Sequence, residues 1–336
     1  EHCYTVFYSR KDTQTQRPAH VCFGHQELWT PCHHRLERWA LAIELLPRRL
    51  DVFHSPDFIP PAFGAKRRVI TVHDLNFLYF PHYLTAESRR YYVDQISWAV
   101  RVADQIIADS KHTRCDLIER LQVPAGKVTT IYLAANPIYT TVPSAAAVGA
   151  TLARYNLPRD FILFVGTLEP RKNIPTLLRS YAQVRATAGI DVPLVLVGGE
   201  GWLYEEVFHS VEKLKLGEHV RHLRGLADEQ LVHLYHAAAL LALPSHYEGF
   251  GLPPLEAMHC GCPVVVSNRG SLPEIVGSAG MVLDAEDVEA WAEALVRLMG
   301  DAGLRERMAK AGHEQAQRFT WRATAQATLR LYEGKC

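Results

Sequence analysis

The sequence contains no G-x-G-x-x-G run and no G-x-x-x-x-G-K-[ST] run, which removes the phosphate cradles of nicotinamide dehydrogenases and of P-loop NTPases. It has no excess of charge. Its 36 Lys and Arg balance 36 Asp and Glu, so the basic surplus of a nucleic-acid binder is missing and no nucleic-acid partner is expected. It has no run of 18 apolar residues, which excludes a bilayer-spanning helix, and no signal-peptide pattern at its start. The seven cysteines, at 3, 22, 32, 115, 260, 262 and 336, are odd in number and irregular in spacing. Cys260 and Cys262 stand too close together for a common zinc pattern and lack a partnering His pair, so reduced thiols in a cytoplasmic protein are expected. Acidic clusters of the Asp-x-Asp type are absent as well, and no metal is expected.

What is present is ordinary. Of 336 residues, 48% are hydrophobic and 21% charged, with 21 Gly and 19 Pro, which fits a folded globular chain and neither a disordered segment nor a fibrous repeat. A chain of this length buries two cores of about 150 residues more readily than one, so two lobes are expected. Residues 1–150 hold 17 basic and 14 acidic residues, the remainder 19 and 22. The first half has the sign that an anionic membrane attracts; a peripheral membrane contact through this lobe is one expectation and ordinary solvated faces are the other.

Short runs rich in Val, Ile, Leu and Phe recur at 161–166, 194–199, 220–225, 239–244, 263–267 and 280–284, separated mostly by stretches of helical period at 174–188, 203–216, 228–238, 254–260 and 287–299. Such alternation predicts a parallel sheet covered on both faces, because parallel strands need crossovers and helices supply them. The first half alternates more loosely, with strands at 4–9, 20–24, 51–55, 68–74, 105–109 and 128–134 and helices at 85–103 and 111–121. Segment 136–158 reads as a linker with a short helix, and helices at 301–317 and 321–333 follow the second half. The expectation is an α/β protein of two Rossmann-like lobes, over 1–145 and 146–318, with a last helix in 319–336 crossing back to the first lobe. The C-terminal ends of both parallel sheets then face one central cleft, where ligands of open α/β folds bind.

Two loops at predicted strand ends carry chemistry. The first is Gly166-Thr-Leu-Glu-Pro-Arg171-Lys172-Asn173, running into a helix that Asn173 caps and Pro175 opens. Adjacent cations beside a helix N-terminus suit a diphosphate, although alone such a pair is also what a solvated loop carries. The second is Ser245-His-Tyr-Glu248-Gly249-Phe250-Gly251-Leu252-Pro253-Pro254-Leu255-Glu256. Its glycines free the backbone to approach a ligand, and its prolines open a helix whose free N–H groups suit an anion. Glu256 is expected in the first helical turn, where the dipole favours the ionised form and its oxygens can accept bonds from vicinal hydroxyls. Glu248 stands before it, nearer the cleft. For either acid alone, a plain N-terminal helix charge is the competing account.

With GTLEPRKN at 166–173, VGGEGWLYEE at 197–206, EGFGLPPLE at 248–256 and PVVVSNRGSLPEIVG at 263–277, the stretch 159–285 resembles the nucleotide-sugar lobe of the family 4 retaining glycosyltransferases, closest to the bacterial mannosyltransferase-like branch. The resemblance implies the GT-B architecture. It also implies that Arg171 and Lys172 hold the donor diphosphate, that Glu256 binds ribose and that Glu248 contacts the transferred sugar. Main-chain N–H groups of Phe250, Gly251 and Leu252 would bind sugar and phosphate. Gly166 would sit where a side chain obstructs the donor, and the Gly225-Leu226 loop would touch the base. In the first half, ITVHDLNFLYFP at 70–81 resembles the family segment ending in His-Asp, which implies that His73 contacts the donor sugar. Asp74 is read equally as a cleft residue and as a turn cap. The family opens with a strand and a Gly-rich loop that nothing here matches, and those residues are expected upstream of Glu1.

The implied function is transfer of a hexose, foremost mannose from GDP-mannose, to a hydroxyl of a glycan or lipid-linked acceptor with retention. The donor is a co-substrate and no cofactor is expected. The competing readings are a catalytically incomplete nucleotide-sugar-binding scaffold and an epimerase or phosphorylase of the same architecture.

Overall fold

The structure, a computed structural model, describes residues 2–10, 23–31, 34, 36–83 and 86–335. Cys22, Cys32, Cys336 and the first part of the expected strand 20–24 lie outside them. Cys3, Cys115, Cys260 and Cys262 are free thiols.

The second lobe is a six-stranded parallel sheet built from β7 (Ile162–Val165), β8 (Leu194–Val197), β9 (Val220–Leu223), β10 (Leu240–Leu243), β11 (Val264–Ser267) and β12 (Met281–Leu283). All four residues of β7, β8, β10 and β11 are buried, as expected of strands with helices on both faces. The spatial order is β12-β11-β10-β7-β8-β9. The direction of winding therefore reverses between β7 and β10, and their following loops diverge there to leave a crevice. The two motif loops of the sequence are the loops after those two strands.

The first lobe is laid out differently. Strands β3 (Leu50–Ser55), β4 (Ala65–Val72), β5 (Gln105–Ala108) and β6 (Val128–Thr130) form a parallel sheet in chain order, and β1 (Tyr4–Ser9) pairs in parallel with β2 (Phe23–Leu28) in a separate sheet. Among the described residues neither sheet reverses direction. The expected strand 128–134 stops at Thr130. Beyond it Ile131 still packs inward with Val69, Ile107 and Leu331, so burial continues after the ladder ends.

Several helices were illegible in the sequence or blurred there, the four-residue helix Asn76–Tyr79 among them. Glu37–Leu45 was not predicted; Leu41, Ala42 and Leu45 face inward, but apolar residues on its other faces conceal the period. Leu272–Val276 is a single short turn structure after β11. Ala145–Tyr155, within the expected linker, is a full helix capped by Ser144, whose side chain accepts from Ala147 N, and Val148 and Leu152 join the second lobe's core.

The last helix, Trp321–Tyr332, lies against the first lobe. Leu331 is fully buried with Val69 and Ile107, and the Tyr332 hydroxyl meets His54 Nδ1 at 2.5 Å. Nearer its start, Thr324 donates to Tyr132 O at 2.6 Å. No helix among the described residues is long and apolar enough to cross a membrane.

Candidate active site

The loop after β7 brings Arg171 and Lys172 to the crevice, and the loop after β10 brings Glu248 to meet them. Lys172 Nζ donates to Glu248 Oε1 at 2.7 Å and Arg171 Nη1 to Glu248 Oε2 at 3.0 Å. Ser245 adds a 2.7 Å bond to Oε1. Arg171 also grips Glu169 at 2.6 Å and donates to the carbonyl of Tyr247 at 2.9 Å. The sequence suggested two open cations. The structure instead pairs both, because Lys172 is only 6% exposed and an ammonium that deep is held only with a counter-charge. Burial by itself would raise the Glu248 carboxyl; the charges of Lys172 and Arg171 and the bonds from Lys172 and Ser245 outweigh it and hold the group below the usual carboxylate range.

Asn173 does not cap the helix it precedes. Its backbone is left-handed (φ 51°), and its amide spans to the carbonyls of Pro244 at 3.2 Å and Ala285 at 2.7 Å. The residue thus ties the β7 loop to the end of β10. Gly166, at φ 153°, faces Lys172; a Cβ there would lie 3.5 Å from Nζ.

Gly251, at φ 101°, opens the helix Leu252–His259. Pro253 and Pro254 have no N–H to offer, and among the described residues no protein acceptor takes the N–H of Phe250, Gly251 or Leu252. Three donors at a helix start are therefore left for an anion. Phe250 is buried against Tyr132 and Phe319, which fixes this turn. Glu256 departs from expectation twice. It lies in the second helical turn, and burial pushes its carboxyl up to about 7, only partly relieved by a 3.0 Å bond from the Tyr235 hydroxyl. Desolvation outweighs the dipole, which fades beyond the first turn.

From the first lobe, β4 ends at Val72 and delivers His73 to the same place. A Cβ on Gly249 would stand 2.3 Å from His73 O, so the lobes touch backbone to backbone and only glycine fits. Thr113 Oγ1 lies 3.3 Å from both His73 O and Gly249 O. Asp74 accepts from Asn76 N at 3.0 Å and so closes its own turn. Tyr247, in the second loop, reaches across to donate to Asp116 at 2.8 Å and accepts from Leu75 N at 3.2 Å. Among the described residues no group of three or more His, Cys, Asp and Glu side chains could hold a metal ion.

Two family descriptions match the chain: "Glycosyltransferase Family 4" over residues 2–137 and "Glycosyl transferases group 1" over residues 154–315. It is also 35% identical over 309 residues to the O-antigen chain mannosyltransferase B of Escherichia coli, covering 91% of this chain and 79% of the relative. The chain belongs to glycosyltransferase family 4. Among solved structures it resembles the sucrose-phosphate synthase of Thermosynechococcus elongatus, with TM-score 0.78 and 24% identity, covering 98% of this chain and 88% of that one. It also resembles Anabaena Alr3699/HepE in complex with UDP and glucose, with TM-score 0.72 and 21% identity, covering 92% and 86%. The fold is GT-B, and the protein is a glycosyltransferase.

Two residues of this transferase's cleft escaped the sequence reading. Asp109, buried at the end of β5, holds His73 Nδ1 at 2.6 Å. That bond, opposed by burial and supported by the charges of Asp109 and Asp57, raises the imidazole's pKa. It also leaves the other ring nitrogen as the one directed away from Asp109. Glu274 binds the first lobe from the second: its carboxylate accepts from Lys111 N at 3.0 Å, His112 N at 3.4 Å and the Tyr132 hydroxyl at 2.5 Å, a negative charge on the N-terminus of the helix Lys111–Leu121. An Asp in ADS at 108–110 or a Glu in LPEIV carries no local sign of either role.

Proposed function

We propose that this glycosyltransferase moves mannose from GDP-mannose to a hydroxyl of a glycan or lipid-linked acceptor, with retention of configuration. The observation that carries the reading is the convergence of Arg171, Lys172 and Glu248 at the crevice where the sheet reverses, with Glu248 on a loop that also holds three N–H groups without a protein acceptor and that touches the backbone of His73 from the opposite lobe. Mannose is favoured by the 35% identity to a mannosyltransferase. A nucleoside diphosphate sugar is the donor class that such a cleft suits.

When the donor binds, its diphosphate takes over the guanidinium of Arg171 and the ammonium of Lys172 and caps the helix at Leu252. Glu248 then exchanges cationic partners for sugar hydroxyls, and Glu256 with Tyr235 receives the ribose. In the transfer step the acceptor oxygen forms a bond to the anomeric carbon on the face from which the diphosphate leaves. The bond from that carbon to the phosphate oxygen breaks, and the acceptor proton passes to the leaving diphosphate. No protein nucleophile is needed. The two cations and the helix start supply fixed positive charge where negative charge develops, the most productive single contribution in such reactions, and no resident metal is required. His73, held by Asp109, contacts the transferred sugar.

The test is a thermal-shift panel of nucleoside diphosphates and nucleotide sugars, followed by NMR of the product. A ligand present at about 100 times its dissociation constant adds about 2.7 kcal/mol of stability. GDP and GDP-mannose should raise the melting temperature, and incubation with acceptor should release GDP and yield an α-mannoside. Shifts with UDP compounds alone would overturn the mannose assignment. Donor binding without transfer to any hydroxyl would favour a binding scaffold.

A further inference from the structure

Tyr247 precedes Glu248 in the loop after β10 and lies between the lobes, 2% exposed. A tyrosine buried so deeply needs a partner for its hydroxyl, and both partners belong to the other lobe. The hydroxyl donates to Asp116 Oδ2 at 2.8 Å and accepts from Leu75 N at 3.2 Å, two residues beyond His73. The backbone of the same residue serves its own lobe, where the Tyr247 carbonyl accepts from Arg171 Nη1, the atom that also holds Glu248 Oε2 at 3.0 Å. The ring is fixed as well, packed on Tyr79 with centroids 4.8 Å apart and edge-on to His112 at 5.5 Å. One rigid side chain thus joins the segment that carries His73 to the guanidinium of the opposite lobe.

Asp116, on the helix Lys111–Leu121, is 4% exposed, and a carboxylate at that depth must be hydrogen-bonded. Two tyrosines do this: Tyr79, from its own lobe, donates to Oδ1, and Tyr247, from the other lobe, donates to Oδ2. A bond to an ionised oxygen is stronger than one between neutral groups, so the link across the seam is firm. The same helix also presents Thr113, whose Oγ1 lies 3.3 Å from Gly249 O. The residues on either side of Glu248 are therefore both fastened to one helix of the first lobe, while Glu248 itself bonds Lys172, Arg171 and Ser245 of the second. The place of that carboxylate relative to His73 is set by this pair of attachments.

We propose that Tyr247, held by Asp116, is a positioning residue of the transfer step, setting the Arg171–Glu248 pair of the second lobe in register with His73 of the first. The inference rests on the site proposed above, in which Arg171 and Glu248 meet the donor and His73 its sugar.

The experiment compares Tyr247→Phe with Tyr79→Phe, which takes the other hydroxyl from the same carboxylate without crossing the seam. Nucleoside diphosphate release is followed with GDP-mannose as donor and mannose oligosaccharides as acceptors, and GDP affinity by calorimetry. Tyr247→Phe should lower kcat about 10- to 100-fold, the cost of a displacement near 1 Å, with GDP affinity nearly unchanged. Tyr79→Phe should keep most of the parent's kcat. Asp116→Ala should reproduce the loss, and Asp116→Asn, which keeps an acceptor for the hydroxyl, should recover most of it. Combining Tyr247→Phe with Asp116→Ala should cost no more than either alone, because both break one link. Tyr247→Phe keeps the packed ring, so it carries the test even where Asp116→Ala does not fold. An unchanged kcat in Tyr247→Phe, equal losses in Tyr247→Phe and Tyr79→Phe, or losses that follow the melting temperatures across the set would overturn the proposal. Lys172→Ala distinguishes this from failure of the site: full turnover there would overturn the diphosphate site and the positioning role with it, whereas its loss beside an active Tyr247→Phe would overturn the positioning role alone. Absence of transfer by the parent with every nucleotide sugar would overturn both.

Discussion

The two lobes share a parallel α/β plan and differ in where their sheets turn. In the second lobe the order β12-β11-β10-β7-β8-β9 reverses between β7 and β10, and that reversal opens the crevice in which Arg171, Lys172 and Glu248 meet. In the first lobe β3 to β6 follow one another in a single direction. Its contribution to the site is one imidazole at the end of β4 and a surface against which the second lobe closes. The difference separates charge from enclosure: the Arg171, Lys172 and Glu248 cluster lies on one lobe and the other lobe meets it with backbone and an imidazole, which under the proposed function divides diphosphate handling from positioning. Contact between them is backbone to backbone at Gly249 and His73, so a small change at that seam tests the division.

The largest effect is expected at the crevice. Lys172→Ala should lower kcat by about 10²- to 10³-fold, the usual cost of one donor aimed at developing charge, as read from nucleoside diphosphate release. A loss under fivefold would move the catalytic charge away from this lobe.

Next comes Glu256. Its carboxyl is raised from the model-peptide range to about 7, so its contribution to stability is fully present below the unfolded value near 4.5 and is lost as pH rises through 7. Glu256→Gln, which keeps the shape and cannot ionise, should therefore unfold at higher urea than the parent at pH 8, by about 3 kcal/mol. The gain should fade toward pH 5, and the variant should bind nucleotide more weakly. An equal gain at both pH values would refute the burial account.

Gly249→Ala sharpens the comparison at the seam. Its Cβ would fall 2.3 Å from His73 O, so the lobes must separate. Transfer should drop on the order of tenfold to hundredfold, since a displacement near 1 Å misaligns reacting groups. Calorimetry should find nucleotide affinity nearly unchanged, because the residues proposed to bind the nucleotide are all on the second lobe. If affinity falls equally, the lobes do not divide the work.

The smallest effect is expected at the first lobe. Asp109→Asn removes the bond that raises His73, so the imidazole should titrate at lower pH by NMR. The stability that its raised pKa confers, present below about 6.5 and lost as pH rises through the folded value, should shrink. Transfer should fall several-fold with a shifted acidic limb in its pH profile, whereas a merely structural aspartate would leave that limb in place.

Much of this was visible in the chain. Runs such as FILFVG and LVLVGG announced buried strands because strands covered on both faces need apolar side chains on both. The Gly-Phe-Gly-Leu-Pro-Pro turn announced a helix start because its constraints are local. Glu37–Leu45 was missed because apolar residues on opposite faces leave no clear period. Asn173 looked like a cap, since that role is decided by a neighbour, but its amide is claimed by Pro244 and Ala285, which the fold brings near. The sign of Glu256's shift was misjudged because the dipole is local and known, whereas burial depends on what packs around it.

The sequence by itself determined the elements and the residue types at their ends: where strands stop, where glycine must bend the chain, which loops carry Arg171, Lys172, Glu248 and His73. These follow from φ/ψ limits, side-chain period and capping, all short-range. Only the tertiary structure decided which of them meet. Lys172 and Glu248 are 76 residues apart, His73 and Asp109 are 36 apart, and Glu274 reaches Lys111 across 163. Partners at such distances are set by the strand order and the docking of two lobes, and so is burial, which decides whether a charge stands open, paired or neutral.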